Sequence, residues 1–373
     1  MTKGPATIPD VAKAAGVSTA TAARALGGYG HVSERSRERV LAAAEELGYR
    51  PNALARSMIT GRTQSLGLVV ADIENPFFAA VTRAVGDAAR VHGYEVLLAN
   101  SDEDVATERG AVRLFLDKRV DGIIVAPASS TDVEHLREAQ AAGVAVVAID
   151  RRVTGMAADS VTVHNRAAVA AAVTHFLAAG HTRIGYLRGT VSPGEHDGLG
   201  RRISTGDERL LGYRESLRSA GLDPDRYVRV GCLGRKEALH AMLDLLGQPD
   251  PPTAVLTPDS ILALGVLLAA RERGLAIPDD LSVISFDDTD WADVVAPPLS
   301  VISQPVHAMG ARAVELLLDR IDRAHGRARH VRLRARMVER ASVGPPPGVS
   351  SRSSTGNPPW PAGASDRRQS MSV

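Results

Sequence analysis

The sequence predicts a two-lobed α/β body behind an N-terminal all-α helix-turn-helix headpiece. Three observations lead there. Residues 8–26 hold two short helical patterns around a glycine turn. From Thr63 onward, short aliphatic runs alternate with helical stretches, the mark of βαβ units and a parallel sheet covered on both faces. That alternation then begins afresh near Asn165, so two α/β sets follow one another.

Bulk properties narrow the class. A chain of 373 residues exceeds one average domain, and its hydrophobic content of 44% is ordinary. No apolar run approaches the ~20 residues of a membrane span. The opening Met1-Thr2-Lys3-Gly4-Pro5 lacks the apolar core of an export signal, so a cytoplasmic location is expected. Cys232 is the sole cysteine, which excludes an internal disulfide and fits a reducing compartment. The net charge is +1, yet residues 1–62 carry nine Lys and Arg against five Asp and Glu. That excess sits where phosphates would be met.

In the headpiece, Val11, Ala14 and Ala15 recur at helical spacing, then Ala22, Ala25 and Leu26. Between them Gly16 can take the positive φ that closes one helix, and Ser18 can cap the next. So tight a turn forces a steep crossing, the helix-turn-helix geometry in which the second helix lies in a DNA major groove with its N-terminal residues at the base edges. An ordinary helical hairpin in an all-α core is the alternative this stretch leaves open. Ser33 opens a third helix with an apolar face of Val40, Ala43, Ala44 and Leu47, and Gly48 ends it. Residues 53–58 can form one short helix, too brief to persist alone in water.

In the body, strands are predicted at Leu66–Ala71, Tyr94–Ala99, Gly122–Pro127, Val144–Ile149, Arg183–Leu187, around Val228, Ala254–Thr257 and Ser282–Phe286. Helices between them are predicted at Phe78–His92, Thr107–Lys118, Val133–Ala142, Asn165–Ala179, Glu208–Ala220, Lys236–Leu246 and Ile261–Arg273. A helix at Ala308–Ile321 and a strand at His330–Arg336 return to tie the lobes together. From Gly344 the Pro- and Ser-rich composition predicts a disordered tail, 344–373.

These residues carry a specific resemblance. Ile8-Pro9-Asp10-Val11-Ala12, Ala15-Gly16-Val17-Ser18, Val32-Ser33-Glu34 and Glu46-Leu47-Gly48-Tyr49-Arg50-Pro51-Asn52 resemble the headpiece of the LacI/GalR repressors. Asn75-Pro76-Phe77-Phe78, Asp121-Gly122-Ile123-Ile124, Ile149-Asp150-Arg151, Leu211-Gly212-Tyr213-Arg214, Ser285-Phe286-Asp287-Asp288 and Pro297-Pro298-Leu299 follow in the family's order. The resemblance implies a type I periplasmic-binding-protein-like body. It implies a headpiece over 1–62 with a hinge helix at 52–58, and lobes of 63–163 plus 303–328 and 164–300 plus 329–343.

It also implies roles. Ser18, Thr19, Ala20, Thr21 and Arg24 fall where such headpieces meet DNA. Of these, Arg24 has the guanidinium that can pair bidentately with guanine, whereas Thr19 and Ala20 offer a methyl contact or one hydroxyl bond. Asn52, Ala55 and Met58 belong to the hinge, Met58 as the apolar wedge that enters the minor groove. Phe77 and Phe78 imply an aromatic wall for a sugar ring, and Asp150, Arg151, Arg209 and Asp287 its hydroxyl partners, with Gln304 adding an amide. The implied partners are a near-palindromic double-stranded DNA operator, a small-molecule effector of carbohydrate type and a second copy of the chain, possible also as a tetramer. Neither a cofactor, a metal nor a membrane is implied.

Departures from the pattern sharpen these expectations. Ala23 and Gly27 stand where serine and asparagine commonly touch phosphate, which predicts weaker affinity without redirected sequence choice. Pro258 replaces an amide, Ser285 replaces a glycine and is expected to narrow the pocket, and the stretch between Gly189 and Arg209 is long and polar. Catalysis is not expected. Glu195, His196 and Asp197 lack the fixed helical spacing of a metal site, and there is neither a P-loop nor a nucleophile elbow. A transporter's solute-binding protein would share the body but not the headpiece.

Overall fold

Small side chains build the headpiece. Val11, Ala12, Ala15, Ala22, Ala25, Val40, Ala43 and Ala44 are all buried in one cluster, and their size lets three helices approach closely. In this computed structural model, which describes residues 6–27, 29–49, 61–189, 203–323 and 326–348, those helices are α1 (Ile8–Ala15), α2 (Thr19–Gly27) and α3 (Glu34–Glu46). Gly16 ends α1 at φ +61°, the left-handed region predicted for it. Ala14 and Leu47, placed on apolar faces by periodicity, are exposed instead, and Ala12 takes the inward position. The hinge residues Asn52, Ala55 and Met58 lie outside the described residues, as do the loop 190–202 and the chain from 349.

The body holds two six-stranded sheets. The first runs 330–333, 159–163, 145–149, 122–125, 65–70, 95–100 from edge to edge. The second runs 336–338, 300–303, 282–286, 254–257, 184–187, 228–229. Every pairing is parallel except that of 336–338 with 300–303. Strand β4 (Ala145–Ile149) and strand β9 (Ser282–Phe286) therefore hold the same position, third from the edge, in their respective sheets. Their carboxyl ends face a common cleft, where open α/β sheets place ligands.

Two strands escaped the periodicity, β5 (Asp159–Val163) and β10 (Ser300–Ser303). Their Ser and Thr residues interrupt the aliphatic run, yet both strands are almost wholly buried, each lying second from the edge of its sheet with a crossing segment paired outside it. The single strand expected at His330–Arg336 divides in two. Residues 330–333 pair in the first sheet and 336–338 in the second, so the stretch 329–343 does not belong to one lobe. The chain passes between lobes at 334–335, and an alternating polar pattern that continues through the crossing conceals it. Gly344, where the disordered tail is expected to open, is held in place. The Gly344 carbonyl accepts from the buried His181 ring and its amide donates to Ser282, which fastens it to the second lobe.

Helix α7 (Asn165–Ala178) and helix α8 (Ser204–Ser219) lie in close contact, and Gly212 makes this possible. A Cβ there would stand 2.6 Å from the Arg166 carbonyl oxygen. Among the described residues, no helix is long and apolar enough to cross a membrane.

Candidate DNA interface and ligand cleft

The second helix of the headpiece begins at an exposed turn. Ser18 accepts from the Thr21 amide at 3.1 Å, and the two hydroxyls share a hydrogen bond of 2.8 Å. Both are thus engaged in closing the first turn, while Thr19 and Ala20 stand exposed between them. No acidic residue occupies that turn, so the positive end of the helix dipole is left uncompensated for an anion. Arg24 is exposed one turn further on the same face, its Nε donating back to the Ala20 carbonyl at 3.2 Å. Arg39 of the third helix reaches the Gly16 carbonyl and braces the turn.

In the body, a cavity of about 440 Å³ lies between the lobes. Phe77, Phe78, Asp150, Arg151, Arg209, Asp287 and Gln304 all line it, so the seven effector residues expected from scattered segments come together. Asn75 caps helix α4 (Pro76–Val91) through the Phe77 amide, which fixes the two rings at the helix start. The rings meet edge to face, with centroids 5.0 Å apart.

Asp150 and Asp287 follow directly after β4 and β9, each with φ in the left-handed region, +65° and +73°. For a residue with a Cβ that conformation costs of order 1–2 kcal/mol and clusters at functional sites. Asp102 and Glu103, beside the same cleft, share it. Arg151 is buried and grips Glu103 bidentately at 2.5 and 2.6 Å, with a further bond to the Pro127 carbonyl. Its Nε lies 3.4 Å from Asp150. Arg209 instead donates to neutral acceptors, the Asn165 side chain at 2.8 Å and the Pro258 carbonyl. Its guanidinium covers the Phe286 ring at 3.8 Å. Gln304 Nε2 donates to Asp287 Oδ1 at 2.7 Å.

Burial dominates the electrostatics. It pushes the Asp287 carboxyl up to about 7, against the opposing pull of Arg209 and the Gln304 bond. Asp150 and Asp259 are raised for the same first reason, each opposed in part by a neighbouring arginine. Cys232, also in the lining, is held neutral with its thiol pushed up to about 11 by burial. Two buried acceptors, Asp150 Oδ1 and Gln304 Oε1, have no hydrogen-bond partner among the described residues. Among those residues no group of three or more His, Cys, Asp or Glu could hold a metal ion.

Comparison with known proteins fixes the family. Residues 7–52 match the bacterial regulatory proteins of the lacI family, and residues 173–343 match a periplasmic binding protein-like domain. The catabolite control protein A of Priestia megaterium is 34% identical over 313 residues, 83% of this chain and 91% of that protein. This chain belongs to the LacI family. The repressor CytR of Escherichia coli is likewise 34% identical, over 86% of this chain and 91% of its own length. Among solved structures, a Lac repressor dimer bound to operator and an anti-inducer superposes with a TM-score of 0.78 at 26% identity, covering 91% of this chain and 99% of that one. A CelR–cellobiose complex gives 0.67 at 29% identity, with 90% and 99% covered. The chain is thus a DNA-binding transcriptional repressor of the LacI family, and its relatives are regulators rather than enzymes.

Within this LacI-family cleft, sequence reasoning missed Glu103, Asp259 and Thr205, and it misjudged Ser285. Ser285 is fully buried and donates its hydroxyl to the Asp259 and Phe286 carbonyls, so it braces the wall without reaching the cavity. Glu103 and Asp259 follow the carboxyl ends of strands 95–100 and 254–257. Applying the strand-end rule to every strand, rather than to the recognised motifs, would have found both. Gly189 and Ile203 line the cleft, which brings both flanks of the long polar loop to its mouth.

Proposed function

We propose that this repressor binds a near-palindromic operator as a homodimer and that a sugar in the interlobe cleft sets its DNA affinity. The observation that carries the reading is the convergence of seven polar and aromatic residues from both lobes on one cavity of about 440 Å³. Such a volume is within the ordinary range for small-molecule sites. Buried acceptors at Asp150 and Gln304 call for hydroxyl donors, and the Phe77–Phe78 corner supplies an apolar face. The Lac repressor and CelR complexes, each with a small ligand named beside the protein, support the same reading.

The headpiece, residues 1–62, acts in the cytoplasm where the chromosome is. Thr19 and Ala20 approach base edges, Arg24 reads a base, Ser18 and Thr21 shape the turn, and Asn52, Ala55 and Met58 supply the minor-groove hinge. A dimer pairs two half-sites and multiplies modest contacts into useful affinity. Ligand changes the lobe angle, and the hinge helices form or dissolve accordingly; by linkage, DNA and effector alter each other's affinity by the same factor.

The test is operator footprinting combined with thermal stabilisation by a sugar panel, on the full chain. A short palindromic footprint and a raised melting point with at least one sugar are expected. Featureless, purely salt-dependent DNA binding would sink the specific-operator claim, and silence across the panel would sink the sugar claim. Arg24→Ala is expected to cut the ratio of operator to random-DNA affinity about tenfold. An unchanged ratio would mean that Arg24 touches phosphate alone.

A further inference from the structure

The cleft carries a charge pattern that goes beyond the recognition of a sugar. Its lining holds the carboxylates of Asp72, Glu103, Asp150, Asp259 and Asp287 against the guanidiniums of Arg151 and Arg209. Arg151 is already matched by the bidentate Glu103. Arg209 has two of its donors on the Asn165 side chain and the Pro258 carbonyl, with its cationic face on Phe286.

The helix ends offer an anion little more. Helix α4 starts under the Asn75 side chain, and helix α10 (Ser260–Glu272) starts under the Asp259 side chain, which accepts from the Leu262 amide. At each of these starts one of the amides that could face a phosphate is already occupied by a cap. Helix α8 also begins at the cleft, but Asp207 and Glu208 lie in its first turns and oppose an anion.

From this arrangement we infer that the effector is an unphosphorylated, uncharged polyol, and that the cleft rejects the phosphorylated form of the same sugar. The inference rests on the sugar reading above and narrows it. Burial lifts Asp150, Asp259 and Asp287 above the ordinary carboxylate range, so the surroundings of the cleft disfavour further negative charge. A dianionic phosphate would add to that load, against a lining of five carboxyl groups and two guanidiniums, one of them already matched by Glu103. Of the three unpartnered buried atoms in the described lining, two, Asp150 Oδ1 and Gln304 Oε1, are acceptors, and one, Arg151 Nε, is a donor. The two acceptors ask for hydroxyl hydrogens, which a phosphate dianion lacks at its oxygens. The reaction class that supplies such an effector is glycoside hydrolysis or uptake without phosphorylation, and the class that removes it is phosphorylation by a sugar kinase.

Isothermal titration of the full-length protein tests this with matched sets. Each set holds a pentose or hexose, its terminal monophosphate and the methyl ether at the same hydroxyl. In every set whose parent sugar binds, the phosphate is expected to bind at least a hundredfold more weakly, and the methyl ether within about tenfold of the parent. A phosphate that matches or beats its parent overturns the inference and leaves the sugar reading intact. Equal rejection of phosphate and ether also overturns it, because size and not charge would then exclude both. No binding by any parent sugar defeats the sugar reading itself.

Discussion

The two lobes place an aspartate at the same point of the same fold and surround it differently. Asp150 follows the third strand of the first sheet and has Arg151 within 3.4 Å, while Arg151 is itself neutralised by Glu103. Asp287 follows the third strand of the second sheet, accepts from the Gln304 amide, and feels the charge of Arg209, whose own hydrogen bonds go to neutral acceptors. The first lobe has built a salt-bridged wall and the second a hydrogen-bonded one. Position in the fold therefore fixes where the carboxylate sits, and the partner chosen by local sequence fixes how it titrates.

The contrast is strongest between the two arginines. Arg209→Ala removes the cation facing Asp150, Asp259 and Asp287, strips the Asn165 and Pro258 acceptors of their donor and uncovers Phe286. Sugar affinity is expected to fall at least about a hundredfold, since each buried unsatisfied group costs about 1–3 kcal/mol. Arg151→Ala leaves a carboxylate that can turn toward water, and a smaller loss is expected. Titration calorimetry on both variants decides this, and equal losses would dissolve the distinction between the walls.

The next effect separates the aspartates by pH. Asp287 has its folded pKa near 7, well above the ordinary ~3.9, so the folded state binds a proton that the unfolded state has released between those values. Stability therefore falls as pH rises from about 4 to 7, and the cost is fully present above 7. Asp287→Asn removes it. The ligand-free variant is expected to melt at least about 3 °C higher at pH 8 and no higher at pH 4, read by calorimetry. Asp150→Asn should show the same sign with a smaller gain, because Arg151 stands nearer. A gain for Asp287→Asn that does not change with pH would contradict the burial argument.

The smallest effect concerns the wall that carries the salt bridge. Glu103→Gln removes the bidentate partner of Arg151 and leaves it Asp150 at 3.4 Å, and because Glu103 is 37% exposed water screens part of the loss. A cost of about 1 kcal/mol, or about 2 °C in melting temperature, is expected. A loss of effector affinity as large as that of Arg209→Ala would place Glu103 on the ligand rather than behind it.

The strands that sequence revealed were those whose burial is uniform. Aliphatic runs such as those of Ser65–Val70 and Ala254–Thr257 are covered on both faces and read directly. Asp159–Val163 and Ser300–Ser303 did not, because their Ser and Thr residues break the apolar run and their place inside the sheet, with a crossing segment paired outside each, is a non-local fact that no window contains. The site divides in the same way. The seven cleft residues are legible as motif ends, whereas Asp259 reads as a mere helix cap and Glu103 as a surface acid until the fold turns both inward.

The three passages between the lobes lie side by side. Val163 pairs with Leu333 at the end of one sheet, Ser303 pairs with Arg336 at the end of the other, and the His164 amide donates to the Leu333 carbonyl between two of them. Three tethers set side by side have the geometry of a single-axis joint, in which bending about one line is the least constrained motion. Asn165, which holds Arg209, and Gln304, which holds Asp287, sit on those tethers. A molecule that grips the cleft therefore pulls at the pivot itself. Its torque acts on a short lever at the joint and emerges as a long arc at the far ends of the lobes.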